Sequence, residues 1–278
     1  MENVSSRNWS LLGITDHSAV MNLGGRLGSA QGPQAFRSAW KRLSGKVHLT
    51  EQMLDYGDCH PVGSSVLEIH DHTIDWIASR LTKSRSVIIG GSHDHGYTHL
   101  AAIKKNSPKK RIGCINLDAH LDVRKPDPLP SSGSPFYLAI ENQIIRPEDF
   151  IEFGIQRQCN GPTLWNYIES KSIDVVPMEN CRFGKAILLF QEKLKFLEKQ
   201  CDEVVISLDI DCVNGAEAPG VSAPAPEGLT SSDLLAIMNE AGRSKKVQSL
   251  GIFELNPIYD IDQRTARLCA AAVWHFLS

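Results

Sequence analysis

Short apolar runs rich in β-branched residues recur along the chain, at 86–89, 112–117, 150–154, 173–176, 204–208 and 249–253. Runs of this length without polar alternation suit strands covered on both faces. Between them Leu67, Ile74, Ile77, Ala78 and Leu81 keep a helical period, as do Ile187, Phe190, Leu194 and Leu197. Residues 232–241 read as a helix with Thr230 or Ser231 as N-cap and Gly242 just past its end. A last helix, 263–277, carries Ala266, Ala270, Val273 and Leu277 on one face. Strand–helix alternation of this kind implies a mostly parallel sheet in a three-layer α/β sandwich. With 278 residues and no repeat or long linker, one domain over 1–278 is expected.

Composition excludes several classes of function. A net charge of −3 argues against a general nucleic-acid binder, which would show a basic face. The basic run Lys104, Lys105, Lys109, Lys110 and Arg111 lies between a helix and a strand and reads as a solvated connection. No apolar run approaches the roughly 20 residues needed to cross a bilayer, so no membrane partner is expected. The start, Met1-Glu-Asn-Val-Ser-Ser, lacks a basic segment followed by an apolar stretch, so no secretory leader is expected. Seven scattered cysteines without a Cys-x-x-Cys pair point to free thiols and a reducing, cytoplasmic compartment.

Two of the apolar runs end directly in acidic phrases, Asp118-Ala119-His120-Leu121-Asp122 and Asp209-Ile210-Asp211. Like charges repel, and each buried carboxylate loses its hydration, so such a set calls for cations among its members. His93 follows Gly90-Gly91 after a third run, and Glu254 follows a fourth. In open parallel sheets ligands bind beyond the carboxyl ends of the strands, which brings these four clusters to one edge. Within each phrase the residues are two apart, and in extended backbone their side chains point the same way. A single Asp-x-Asp at a strand end is explained equally well as a helix cap. Four clusters at successive strand ends are not. Two histidines and four aspartates, with no thiolate, favour Mn²⁺, Mg²⁺ or Fe²⁺ over structural zinc. Four carboxylates balance two divalent ions, and two ions roughly 3.5 Å apart can share and acidify a water. His95 and His99 read as supporting or surface residues, and His60, His70 and His72 show no partner pattern.

Gly90-Gly91-Ser92-His93, Asn116-Leu117-Asp118-Ala119-His120-Leu121-Asp122, Ser207-Leu208-Asp209-Ile210-Asp211 and Glu254-Leu255-Asn256-Pro257 resemble the four motifs of the arginase/agmatinase/formimidoylglutamase family. The likeness spans nearly the whole chain, from Asn22-Leu23-Gly24-Gly25-Arg26-Leu27-Gly28 and Gly32-Pro33 onward. It implies a three-layer αβα fold with a parallel sheet of about eight strands. It also implies a dinuclear manganese site, trimers or hexamers, and hydrolysis of an amidino or guanidino C–N bond. By the same resemblance His93, Asp118, Asp122 and Asp209 hold one metal. His120 and Asp211 complete the other, with Asp118 and Asp209 bridging. Glu254 would take the cationic amidino end of the substrate.

Departures from the wider family point to one branch. Ser131-Ser132-Gly133-Ser134-Pro135-Phe136 is similar to the formimidoylglutamase loop and lacks the histidine of arginases and agmatinases. Ala218-Pro219-Gly220-Val221-Ser222-Ala223-Pro224 and Gly154-Ile155-Gln156-Arg157 are similar to that branch too. Its substrate, formimidoylglutamate, carries two carboxylates and one amidinium, so the pocket needs fixed cations at one end and a carboxylate at the other. Arg124, with Arg157 or Arg26, could supply the cations by bidentate pairing, and Ser132 a further contact. Structural pairing explains Arg26 and Arg157 equally well. Asp122 is the candidate relay for the proton that the leaving nitrogen needs, because Ser132 is too weak an acid. The expectation is a Mn²⁺-dependent formimidoylglutamase, with Fe²⁺ or another divalent ion able to use the same ligands. The alternatives are another ureohydrolase, or a catalytically silent metal-binding relative. Cys212-Val213-Asn214-Gly215 departs from the family pattern and is expected to change hydrogen bonding rather than metal binding.

Overall fold

The computed structural model describes residues 9–81 and 85–278. The first six residues, and with them the reading of the leader, lie outside the described residues. The strands are β1 (Trp9–Ile14), β2 (Met53–Cys59), β3 (Arg85–Ile89), β4 (Ile112–Leu117), β5 (Phe150–Ile155), β6 (Asp174–Pro177), β7 (Glu203–Asp209) and β8 (Val247–Phe253). They form one sheet in the order β2-β1-β3-β8-β7-β4-β5-β6. Every pairing in it is parallel. The three-layer α/β sandwich is therefore found as expected.

Burial on both faces explains the apolar strands. In β4, Ile115 and Leu117 pack with Phe190, Leu194, Ile237 and Val273 from helices Ala186–Gln200, Ser231–Arg243 and Arg264–Leu277. Ile112 and Cys114 point the other way, against Leu100, Phe136 and Ile168 from helices His95–Asn106, Pro135–Glu141 and Pro162–Lys171. Successive residues of a strand face opposite sides, so one continuous apolar run serves two cores. Each large apolar side chain so buried contributes ~1.5–3 kcal/mol.

Thr230 caps the helix Ser231–Arg243 with a reciprocal box, its hydroxyl accepting from Asp233 N while Asp233 accepts from Thr230 N. Gly242 lies inside that helix, not beyond it as its residue type suggested. An added Cβ there would lie 2.2 Å from the Phe276 carbonyl, so the glycine is required by close helix packing rather than by a cap. β1 and β2 are the strands that apolar runs did not reveal. β2 (Met-Leu-Asp-Tyr-Gly-Asp-Cys) is a half-exposed edge strand, and edge positions do not need an unbroken apolar run.

The topology places the site. β3, β8, β7 and β4 are consecutive at the middle of the sheet, and they are the strands that run into His93, Glu254, Asp209 and Asp118. Clusters up to 161 residues apart in sequence thus meet, as when His93 N donates to Glu254 Oε1 at 3.0 Å. Among the described residues no helix is long and apolar enough to cross a membrane.

Candidate metal centre

The ligand-bearing turns are held open by backbone geometry. Asp122 (φ 46°) and Glu254 (φ 61°) both adopt the left-handed region, which costs a non-glycine residue ~1 kcal/mol or more. These turns leave the sheet abruptly and keep both carboxyls over the strand ends. Gly91 has no such freedom to lose: a Cβ would sit 1.5 Å from the Asp16 carbonyl oxygen, which accepts from Ser92 N at 3.1 Å. The His93 turn is thereby pressed against the end of β1.

Beside it lies a buried polar network. His70 Nε2 meets Asp94 Oδ2 at 2.7 Å, Ser92 Oγ donates to Asp94 Oδ1 at 2.6 Å, and His95 Nε2 meets Asp16 Oδ2 at 3.1 Å. Asp16, Asp94 and His95 stand close enough to hold a cation. Their carboxylates are already saturated by protein donors, and burial alone would raise the Asp16 carboxyl, yet His95 and Ser18 bring it down to about 2. His95 and His99 are fully buried supports rather than surface residues, and His70 does have a partner. His99 touches Ser249 Oγ, and burial pushes it down to about 3, so it is a neutral core histidine.

The expected metal ligands converge in two groups. In the first, His93 Nδ1 stands 3.1 Å from Asp118 Oδ2, 2.9 Å from Asp122 Oδ2 and 3.2 Å from Asp209 Oδ2. In the second, His120 Nδ1 stands 3.2 Å from Asp211 Oδ2 and 3.5 Å from Asp118 Oδ1. Asp118 belongs to both, one oxygen to each. Asp209 falls in the His93 group alone, because its Oδ1 accepts from Asp211 N at 2.9 Å.

The residues fit a pair of divalent ions. His93 Nδ1 is buried among three carboxylate oxygens yet makes no hydrogen bond, and Asp211 Oδ1 is likewise unsatisfied. The other ring nitrogen of His93 lies 2.9 Å from Ser207 Oγ, so a proton there leaves the Nδ1 lone pair for a cation. Phe253 stacks on the ring (centroids 5.1 Å) and Phe136 meets it edge-on, which fixes its plane. Burial followed by the charges of neighbouring aspartates pushes Asp209 well above the carboxylate range and Asp122 up to about 6. Burial raises Asp118 too, but His120 and His93 outweigh it and hold that carboxyl low. Such frustrated charge is what cations relieve. Cys114 and Cys212 are buried nearby with thiols pushed far up by burial, so they contribute no thiolate.

A cavity of about 330 Å³ opens over the ligands. Glu254 lines it with Oε2 unpartnered, its carboxyl pushed up to about 8 by burial. Arg124 and Ser132 line it as expected, and Arg124 passes Gly133, where an added Cβ would touch Nε at 3.5 Å. Among the described residues Arg124 has no carboxylate partner. Arg26 also lines the cavity, but its guanidinium donates to the carbonyls of Ser222 (2.8 Å) and Val221 (2.7 Å) and lies over Tyr259. Arg157 is absent from the lining: its Nε is 2.6 Å from Glu179 Oε1 and the group lies by Trp165. Arg157 is thus paired with Glu179 outside the cavity lining. Asn214 bonds Glu217 and Leu229 O, away from the ligands.

Ser207 and Asn116, which above appear only as members of motifs, and Glu152 also shape the site. Ser207 and Asn116 each lie two positions before a ligand, so strand alternation places them on the ligand face, a signal present in the sequence.

A family model described as Arginase family matches residues 9–278. A formimidoylglutamase of Staphylococcus carnosus is 32% identical over 275 residues, covering 96% of this chain and 85% of that protein. One from Enterobacter sp. is also 32% identical, over 269 residues, covering 95% and 84%. Among solved structures, the Trypanosoma cruzi formiminoglutamase with Mn²⁺ superposes with a TM-score of 0.87 at 25% identity, covering 97% of this chain and 92% of that one. The Bacillus subtilis formimidoylglutamase gives 0.89 at 25% identity, covering 97% and 85%. Together with the metal-ligand geometry and the parallel sheet, these matches place the chain by descent as well as by shape: it belongs to the arginase family.

Proposed function

We propose that this chain is a manganese-dependent formimidoylglutamase, a single-domain hydrolase that converts N-formimidoyl-L-glutamate and water to L-glutamate and formamide. The observation that carries the reading is the polarity of one cavity: a cation at its wall, Arg124, without a carboxylate partner among the described residues, and Glu254, with Oε2 unpartnered, beside the His/Asp cluster. The substrate has the opposite polarity, carboxylates at one end and an amidinium at the other. Formimidoylglutamases among the relatives, and the Mn²⁺ of the T. cruzi structure, support the same choice.

His93, Asp118, Asp122, Asp209, His120 and Asp211 would hold two Mn²⁺ ions. When bound, the pair supplies a water acidic enough to serve as a nucleophile near neutral pH. Glu254 Oε2 accepts an amidinium N–H, while its Oε1 stays on His93 N and fixes the carboxyl plane. Arg124 pairs with a substrate carboxylate in the fork geometry that guanidinium offers, and Ser132 adds a hydroxyl at the same wall. Asp122 Oδ1 faces the cavity side near Gly133, where it could relay the proton given up by the attacking water to the departing glutamate nitrogen as the C–N bond breaks. That role stands in for the histidine this loop lacks.

Agmatine has no carboxylate and would gain nothing from Arg124, and a silent relative would have no reason to keep the ligand set complete. A panel of formimidoylglutamate, arginine and agmatine with Mn²⁺ tests the choice; faster turnover of arginine or agmatine overturns it. Arg124→Leu should raise KM for formimidoylglutamate roughly 10- to 100-fold, the worth of one charge-assisted contact, and leave agmatine turnover unchanged. Seven unpaired cysteines support a cytoplasmic setting. A homo-oligomer, trimeric or hexameric, follows from the family resemblance and is read directly by sedimentation.

A further inference from the structure

One polar row runs across the sheet beneath the ligands. Glu152 of β5 pairs in register with Asn116 of β4, Asn116 with Ser207 of β7, and Ser207 with Gly251 of β8. Asn116 and Ser207 stand two residues before Asp118 and Asp209, so the row lies one step below the metal-facing carboxylates on the same side of the sheet. Ser207 meets His93 Nε2. Asn116 Nδ2 sits 3.3 Å from Asp118 Oδ2 and 2.9 Å from Glu152 Oε2. Asn116 and Glu152 are wholly buried.

Asp118 is the residue whose orientation matters most, since each oxygen serves a different half of the centre. Its Oδ1 is pinned by His120 N at 2.7 Å. Its Oδ2 is pinned from protein by the Asn116 amide. An asparagine amide is nearly symmetric in shape, and turning it over would set a carbonyl oxygen against Asp118. Only its hydrogen bonds decide which end faces the ligand. The second Nδ2 hydrogen goes to Glu152, which therefore selects the orientation that supports Oδ2.

We infer that Glu152 is a positioning residue of the metal centre, holding the Asn116 amide so that Asp118 Oδ2 is directed at the His93 half. A buried carboxyl at mid-strand, outside the cavity lining, otherwise has no evident use. Glutamine matches it in shape and in offering an oxygen to Asn116. Methionine matches only its bulk.

The inference rests on the dinuclear reading and is tested with Mn²⁺ alone. Calorimetric titration of the chelator-treated full chain should give two ions for the parent. In Glu152→Met one ion should weaken roughly 10- to 100-fold, the usual cost of losing a partner behind a metal ligand, while the other holds. Turnover at subsaturating Mn²⁺ should fall in kcat with little change in KM, and Glu152→Gln should restore both within about threefold. A parent that binds fewer than two ions overturns the dinuclear reading and the inference with it. A parent that binds two, with Glu152→Met binding two equally tightly, overturns the inference alone. So does a folded Glu152→Gln no better than Glu152→Met. Should Glu152→Met not fold, Asn116→Ala is titrated in its place, and wild-type affinity for both ions there is equally fatal.

Discussion

Replacing Glu254 by glutamine should make the metal-free protein more stable while disabling it. The glutamine keeps an oxygen for His93 N and removes only the charge. In the fold, burial pushes the Glu254 carboxyl from its ordinary 4.5 up to about 8. A raised carboxyl opposes folding: the unfolded chain sheds the proton above 4.5 and the folded chain keeps it. Stability is therefore lost as pH rises from 4.5 towards 8 and levels off beyond. At pH 7 the 2.5 pH units above 4.5, at ~1.4 kcal/mol each, amount to about 3–4 kcal/mol. An unfolding entropy of ~2.1 cal/mol/K per residue gives about 0.6 kcal/mol/K for this length, so Tm should rise by about 5–7 °C. Thermal melts of chelator-treated Glu254→Gln and parent at pH 5, 7 and 8 make the measurement. The gain should be small at pH 5 and largest at pH 8, and it should shrink when Mn²⁺ supplies the missing positive charge. In the loaded enzyme, where bound cations would hold Glu254 ionised, kcat/KM should fall at least 10-fold, because the proposed charge-assisted contact of ~1.5–3 kcal/mol with the amidinium would be lost. A gain that ignores pH, or a variant less stable than its parent at pH 7 without metal, would refute the reasoning.

Two further outcomes follow from the ligand geometry. Asp211→Ala removes an oxygen from the His120 half only, so bound Mn²⁺ should drop from two ions towards one and activity should vanish; metal analysis after gel filtration checks this. At 100 times Kd each ion adds ~2.7 kcal/mol to the folded state, so the Mn²⁺-dependent rise in Tm should halve as well. Gly91→Ala sets a Cβ 1.5 Å from the Asp16 carbonyl, where only backbone can give way. Overpacking of this sort costs ~1–3 kcal/mol or more, and the displaced His93 turn should lose Mn²⁺ affinity even in the fraction that remains folded, as titration would show.

Much of the architecture is legible in the chain because the central strands are buried on both faces and have to be apolar throughout. Edge strand β2, with Asp55, Tyr56 and Asp58 in it, is under no such demand, and its pattern is silent. The ligands are equally legible, since an aspartate at the end of an apolar strand has few uses and two in alternation have fewer. Glu152 was invisible for the opposite reason. One polar residue within Phe150–Ile155 carries no periodic signal, and its role appears only when register sets it beside Asn116. Arg124, Arg26 and Arg157 look alike as residue types. What separates them is the partners they find: none among the described residues for Arg124, two carbonyls for Arg26, and Glu179 for Arg157.

The strand order also dictates when the centre can exist. β3 and β4 follow one another in the chain but do not pair; β8 and β7, made last, lie between them. Without residues 203–253 no strand pairing would join the two flanks of the sheet, β2-β1-β3 and β4-β5-β6. His93 is on one flank and Asp118, His120 and Asp122 are on the other. Neither flank alone can assemble the four ligands of the first group. During synthesis, then, a chain can capture its full complement of ions only after the last two strands have joined the flanks, and metal uptake becomes a record of completed folding.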